Sequence, residues 1–414
     1  MLLSMQQLKR IRIHEGGIPP DILAVTALSA AGSFANGGLT PILGEIAADF
    51  SISFTALGIL TAAFAFSRVL IDLPAGTLAD RIRPTTMFYV AAGISVIGGL
   101  VAAFAQTFGL LVAGRVIQGF GVTLTVFTAT AYIGRRARPA DRGRMMGIAN
   151  TANPVGEFLA PLTIGFAAAV VGWRTGFLLT LIPTIGTLLL VPVFVQGEMA
   201  AGVVQKRIES KDSRLHKFPI RIHFLLGINL MTAATSLANF GFKSTLFPLF
   251  GSRALRLNPA LIGLAIGMAA AARFPLSLAS GVLSDRVGRM AVFAPGMSAL
   301  VLGALVLPAT ATFGPYLGFA LLYAVGAAAS HMVYTMVVDR APSDRLGSAL
   351  GTNQLFADVA TVGMPVALGA LIDAAGFGSA GVAIAAFGAL AIGIGLVVGD
   401  TSPRRNRGSD HTQY

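Results

Sequence analysis

Seven ionisable side chains, Arg68, Asp72, Arg115, Glu157, Lys243, Arg273 and Asp358, stand inside long apolar runs, with His331 as a titratable neighbour. Such groups are expensive in hydrocarbon and persist there when they bind a solute, relay a proton or pair with one another. Glu157 lies about twelve residues, roughly 18 Å at 1.5 Å per residue, into its run and is therefore near mid-membrane. Asp358 is similarly deep. A carboxylate so placed gains proton affinity from desolvation and loses it to a nearby Arg or Lys, so solute arrival or helix movement can change its protonation. Glu157 and Asp358 are the first proton-coupling candidates; the alternative is a fixed ion pair, for instance with Arg115 or Lys243. Arg68 and Asp72 are four residues apart on one helical face and can pair with each other. Asp72 and His331 complete the set of protonatable candidates, His331 being equally readable as an interhelical hydrogen-bonding group.

The elements that carry these residues are membrane spans. Of 414 residues, 55% are hydrophobic and only 12% charged, which excludes a soluble multidomain protein, and the 49 glycines and 20 prolines are interspersed in Ala/Leu/Val/Ile/Phe runs rather than in polar tracts. No cysteine is present, which removes thiolate metal sites, disulfides and a cysteine nucleophile. No His-x3-His or His-Glu-x2-His spacing and no Gly-x4-Gly-Lys-Ser/Thr loop occurs, so no metal, cofactor or ATP hydrolysis by that route is expected, nor an enzyme; a gradient must supply the energy. Runs of spanning length fall near 22–44, 55–79, 86–105, 109–133, 145–171, 175–196, 223–250, 260–280, 291–311, 315–338, 348–372 and 378–399. The net charge of +12 is not a nucleic-acid surface. Twenty-three of the 30 Lys and Arg fall in the two tails, the central stretch and every second loop, three (Arg174, Arg253, Arg256) on the opposite side, and four inside spans. By the positive-inside rule both ends are cytoplasmic. Lys9, Arg10 and Arg12 precede a run of full spanning length, which reads as a first transmembrane helix rather than a cleaved signal. Trp173, between the fifth and sixth spans, reads as an interfacial anchor.

The chain is also a duplication. Shifted by about 203 to 205 residues, Ser33-Phe-Ala-Asn36 meets Ser236-Leu-Ala-Asn239, and Asn150 meets Asn353. Arg68 and Gly76-Thr-Leu-Ala-Asp80-Arg81 meet Arg273 and Gly281-Val-Leu-Ser-Asp285-Arg286. An even number of spans in each half makes the copies parallel repeats, with the transport site expected between them at mid-depth. The domains are 1–196 and 223–414, each a six-helix bundle, joined by a central cytoplasmic loop at 197–222. Arg273 has Ser277 where its repeat partner Arg68 has Asp72, so it lacks a local partner and is free for an anion or for an acid from another helix. The paired Gly-x-Leu-x-Asp-Arg segments place a close-packing Gly, an acid able to face a helix N-terminus and a base at the cytoplasmic end of spans 2 and 8, a lock made in one conformation and broken in the other.

These twin loops, Gly76, Leu78, Asp80 and Arg81, then Gly281, Leu283, Asp285, Arg286, Gly288 and Arg289, resemble the major facilitator superfamily, over residues 15 to 400; Arg83-Pro84 departs from the usual Gly-Arg ending. Gly114-Arg115-Val-Ile-Gln118-Gly119-Phe-Gly121 is similar to a family pattern on span 4 that implies a buried Arg115 facing the transport path. Gly147, Gly156, Pro161 and Gly165 resemble its antiporter seam on span 5, with Ala160 and Ile164 where Gly is usual. That resemblance implies export in exchange for protons; ordinary close helix packing is the alternative. It also makes Asn36, Asn150, Asn153, Asn239 and Asn353 candidate solute contacts with Arg115, Lys243 and Arg273, against a reading of the asparagines as interhelical bonds. The expectation is an all-α membrane protein of twelve transmembrane helices in two pseudo-symmetric bundles. It would be a monomer in the inner or plasma membrane, moving a small organic solute by alternating access, with lipid and protons as its partners. Uptake or exchange of a small organic anion is the alternative, and a non-transporting receptor on the same scaffold a third.

Overall fold

The computed structural model describes residues 19–136, 142–194, 222–341 and 346–401, and among them there is no strand. A backbone in hydrocarbon has to satisfy its own N–H and C=O groups, and helices do so within one segment. Span 1 runs Pro20–Asp49, and spans 2 to 6 are Phe54–Arg81, Pro84–Ala103, Phe108–Arg136, Arg142–Val171 and Trp173–Phe194. Span 7 is built from Ile222–Gly241, Phe242–Leu246, Phe247–Leu249 and Phe250–Ala254; spans 8 and 9 are Pro259–Val287 and Arg289–Ala309; span 10 is Phe313–Ala329 continued by His331–Arg340. The last helix, Leu346–Val398, is broken at Gly376, whose φ of 78° suits a residue without Cβ, and so supplies spans 11 and 12. Ten of these stretches are long and apolar enough to cross a membrane by length and composition. Counting the break at Gly376 and the apolar helix Trp173–Phe194, the described residues form twelve spans in two six-helix bundles.

Starts and stops follow local chemistry. Pro20, Pro84 and Pro259 sit in first turns, where a missing N–H costs nothing, and Asn258 accepts from the Leu261 N–H at 2.9 Å. Span 1 extends past the expected residue 44 because a 3₁₀ turn, Thr40–Ile42, re-aims it into the short helix Leu43–Asp49. Trp173 differs from the interfacial expectation. It is 5% exposed, its Nε1 donates to Asp49 at 3.0 Å, and its ring lies between Phe50 and Phe177, so it pins a loop inside the protein instead of facing lipid. Its indole N–H finds a carboxylate there, which the lipid boundary would not have supplied.

The halves meet where span 2 packs on span 11, span 5 on span 8, and the end of span 1 on span 7. The face where span 1 begins and span 12 ends is the terminal face, and its opposite the far face. The tightest approaches between halves are all toward the far face. A Cβ on Gly58 would stand 2.3 Å from the Pro365 carbonyl oxygen, and one on Gly263 2.0 Å from that of Pro161. A Cβ on Gly44 would likewise stand 2.4 Å from the Ser252 Cβ. The molecule is closed at the far face.

Candidate functional site

Lys243 reaches the middle of the molecule from a π-helical turn, Phe242–Leu246, in span 7. A π turn carries an extra residue and rotates the side chains after it, a device common where a helix has to aim one group. Here it brings the Lys243 ammonium within 3.0 Å of a Glu157 carboxylate oxygen, which also lies 3.3 Å from the Arg273 guanidinium. All three side chains are between 22% and 23% exposed. One carboxylate from the first half therefore bridges two cations of the second. The Tyr323 hydroxyl lies within electrostatic reach of Arg273, and His331 within reach of Glu157 and Arg273. Of the alternatives open for Glu157, the geometry is the ion pair with Lys243, Arg115 being elsewhere. Arg273 has its acid from another helix.

A second group faces a cavity of about 170 Å³ lined in part by Asn36, Thr61, Arg68, Arg115, Lys243 and Asp358. Arg68 is 3.6 Å from Asp358, to which Gln354 also donates at 3.0 Å. Arg68 thus meets an acid of the opposite half; the Asp72 side chain lies outside the described residues. Arg115 is 1% exposed and donates to Gln118 at 2.8 Å and to the Ala35 carbonyl at 3.4 Å. Its guanidinium sits 4.9 Å from the Phe64 ring centre, a cation–π contact, and its Nε has no hydrogen-bond partner. A buried cation held only by neutral groups leaves room in its electrostatics for an anion.

The asparagines divide. Asn36 is exposed into the cavity. Asn353 is buried and donates to Asn229 at 3.0 Å and Thr232 at 2.7 Å, tying span 11 to span 7. Asn239 donates to Ser330 at 2.8 Å, and Asn153 accepts from Ser33 at 3.0 Å. The last three have the geometry of interhelical bonds. Gly147, Asn150, Gly76, Asp80 and Arg81 lie on helices, but their side chains are outside the described residues. In the second gate loop Arg289 is 7% exposed and pairs with Asp285 and, at 3.1 Å, with Asp339, while its N–H donates to Asp400; Arg286 is exposed. Among the described residues this network lies within one half, and a Cβ on Gly281 beside it would meet nothing within 4 Å.

The span 5 seam is built as close packing requires. A Cβ on Gly165 would stand 2.5 Å from the Pro259 carbonyl oxygen across the halves, and one on Gly156 2.3 Å from that of Ala30 in span 1. Ile164, where the resemblance expects Gly, fills space that Gly38 and Gly176 vacate, its methyl groups lying 2.2 and 2.8 Å from where their Cβ atoms would be. Ala160 packs over Gly37 in the same way. Small residues have moved from span 5 to its neighbours and the packing is kept.

Tyr323, Gln118 and Gln354 were not singled out from the sequence. Gln118 was visible in the span 4 pattern and Gln354 by its spacing of four from Asp358. Tyr323, an aromatic in an apolar run, gives no such signal.

A family model described as the Major Facilitator Superfamily matches residues 23–234 and 228–413. The Multidrug resistance protein B homolog of Mycobacterium tuberculosis is 28% identical over 194 residues, 46% of this chain and 32% of that protein. The Glucose transporter GlcP of Staphylococcus epidermidis is 25% identical over 182 residues, 44% of this chain and 40% of its own length. The D-xylose-proton symporter-like 1 of Arabidopsis thaliana is 28% identical over 127 residues, 30% of this chain and 25% of its own. The matched stretches thus span two-fifths or less of these relatives. Among solved structures, a bacterial homolog of the human lysosomal transporter Spinster, described as inward-facing and occupied, superposes with a TM-score of 0.75 at 17% identity, covering 91% of this chain and 96% of that one. This likeness is one of fold. With a family model matched across both halves, twelve helices and a polar site between two bundles, the chain belongs to the Major Facilitator Superfamily, a family of transporters and not of enzymes.

Proposed function

We propose that the chain is a proton-coupled exporter of a small organic solute, with Glu157 as the group that takes up and releases the proton. One observation carries this: a single mid-membrane carboxylate of the first half bridges two cations of the second, Lys243 and Arg273. Separating the halves removes the cations, and a carboxylate left without them in a low dielectric takes a proton. Movement and protonation are thereby linked. The span 5 seam against span 8, which keeps ions from leaking beside the solute path, and relatives named for multidrug resistance and for Methylenomycin A resistance support export. The terminal face is read as cytoplasmic, since Arg135, Arg136, Arg286, Arg289 and Arg340 lie toward it, so that in the inner or plasma membrane the cavity would open to the cytoplasm.

The experiment is proton exchange in proteoliposomes, using compounds chosen because they raise the melting temperature of the purified protein. Glu157→Gln is expected to keep solute binding and lose solute-driven proton flux. Undiminished flux in that variant removes Glu157 from the mechanism.

A second reading, transport of a small organic anion, is favoured by Arg115, a buried cation among the cavity-lining residues whose Nε has no hydrogen-bond partner, and by the other cations gathered near mid-depth, Arg68, Lys243 and Arg273. The two readings differ in sign. An anion drawing Lys243 or Arg273 from Glu157 favours protonation of that carboxylate, so proton and anion would travel together. A pH gradient that drives solute in the direction of proton flow, and loss of binding in Arg115→Met, decide for the anion.

A further inference from the structure

The two halves cap corresponding helices differently. Span 8 begins at Pro259, which has no N–H, and its Leu261 N–H donates to its own Asn258 side chain at 2.9 Å. Span 2, its repeat counterpart in the first half, begins at Phe54. Ser53 accepts from the Ala56 N–H at 3.2 Å, but the Phe54 and Thr55 N–H groups donate to Asp373 at 3.0 and 2.8 Å, and the Thr55 hydroxyl donates to it at 2.6 Å. Asp373 belongs to the other half, at the far end of span 11, four residues after Gly369. A Cβ on Gly369 would stand 2.3 Å from the Phe54 carbonyl oxygen. Phe377, just past the break at Gly376, packs edge-on against Phe54 at 5.5 Å and Phe250 at 5.4 Å between ring centres. The repeat shift of about 204 sets Asp373 opposite Ala168, Ala169 and Val170, so the span 5 and 8 seam has no acid in the same role.

We infer that Asp373 is the latch of the far face: a carboxylate from one half that caps span 2 of the other only while that face is closed. A carboxylate accepting helix N-terminal N–H groups also gains from the helix dipole. Opening the far side withdraws the acceptor from two backbone donors and one hydroxyl together. Span 8 loses nothing in the same movement, because its cap travels with it. The latch therefore acts on the equilibrium between open and closed states, not on the folding of either half.

The chain has no cysteine, so a single introduced thiol reports without background. Ser252, whose Cβ faces Gly44 of the other half at the far side, is the reporter position. In purified Ser252→Cys protein, Asp373→Ala is expected to raise the rate of labelling by a bulky polar maleimide about tenfold, the effect of losing a good cap. Thr55→Val, which removes one of the three donors and preserves shape, should raise it less. Asn258→Ala, which removes a cap inside one half, should lower the melting temperature without raising the labelling rate. An unchanged rate in Asp373→Ala, or an equal rise in Asn258→Ala, overturns the latch; if Asp373→Ala does not fold, an unchanged rate in Thr55→Val does so.

Discussion

Glu157 divides one carboxylate between Lys243 at 3.0 Å and Arg273 at 3.3 Å, so the three residues act as a unit. Lys243→Met leaves one cation for one acid and should cost about 1–3 kcal/mol. Glu157→Gln leaves two cations facing each other without an acid and should cost more, since the penalty of a stranded buried charge exceeds the worth of the pair. The double variant should therefore melt above the single Glu157→Gln. Melting curves of the four proteins check this, and simple additivity of the two losses would show that the residues do not interact. Glu157 was legible in the sequence because a lone acid in an apolar run has few reasons to be there. Its partnership with Lys243 was legible only as one possibility, because the aim of Lys243 depends on a π turn that residue spacing does not announce.

Among the elements, close packing and hydrogen bonding between helices make separate predictions. Gly263→Ala puts a methyl where the Pro161 carbonyl already is, 2.0 Å away, and neither backbone can yield without moving a half. It should destabilise the far-closed form by about 1–3 kcal/mol, whereas Gly93→Ala, with open space around it, should be neutral or stabilising by about 0.5–1 kcal/mol. Thermal unfolding of both variants checks the contrast. Asn353→Leu removes two bonds between spans 7 and 11 and should cost about 0.6–2 kcal/mol while leaving solute affinity unchanged; a large loss of affinity at constant stability would return Asn353 to the solute path. The helices themselves were readable from apolar length, and their ends from proline, glycine and asparagine. The compensation at Ile164, with the small residues moved to Gly38 and Gly176, was not, because it joins three helices that the sequence does not show to be neighbours.

At the scale of the whole molecule the duplication was plain in the sequence, since charged and glycine residues recur at one shift, and the two halves fold as that shift implies. Which face is closed could not be read there, because both conformations use the same residues. It follows from the crowded glycines at Gly58, Gly44 and Gly263, where the halves approach on the far side. The two bundles are expected to rock about the Glu157 cluster so that the faces open in turn. This rocking is tested most directly by spin-label distances at both faces of one protein, placed through cysteines at Gln106 and Gly314 for the far face and at Ile82 and Gly351 for the terminal face, as the pH is moved between 5 and 8. The account predicts reciprocity, with the far-face distance lengthening in the population whose terminal-face distance shortens, and loss of the pH response in Glu157→Gln. Distances that change together at both faces, or a pH response that persists in that variant, would contradict it.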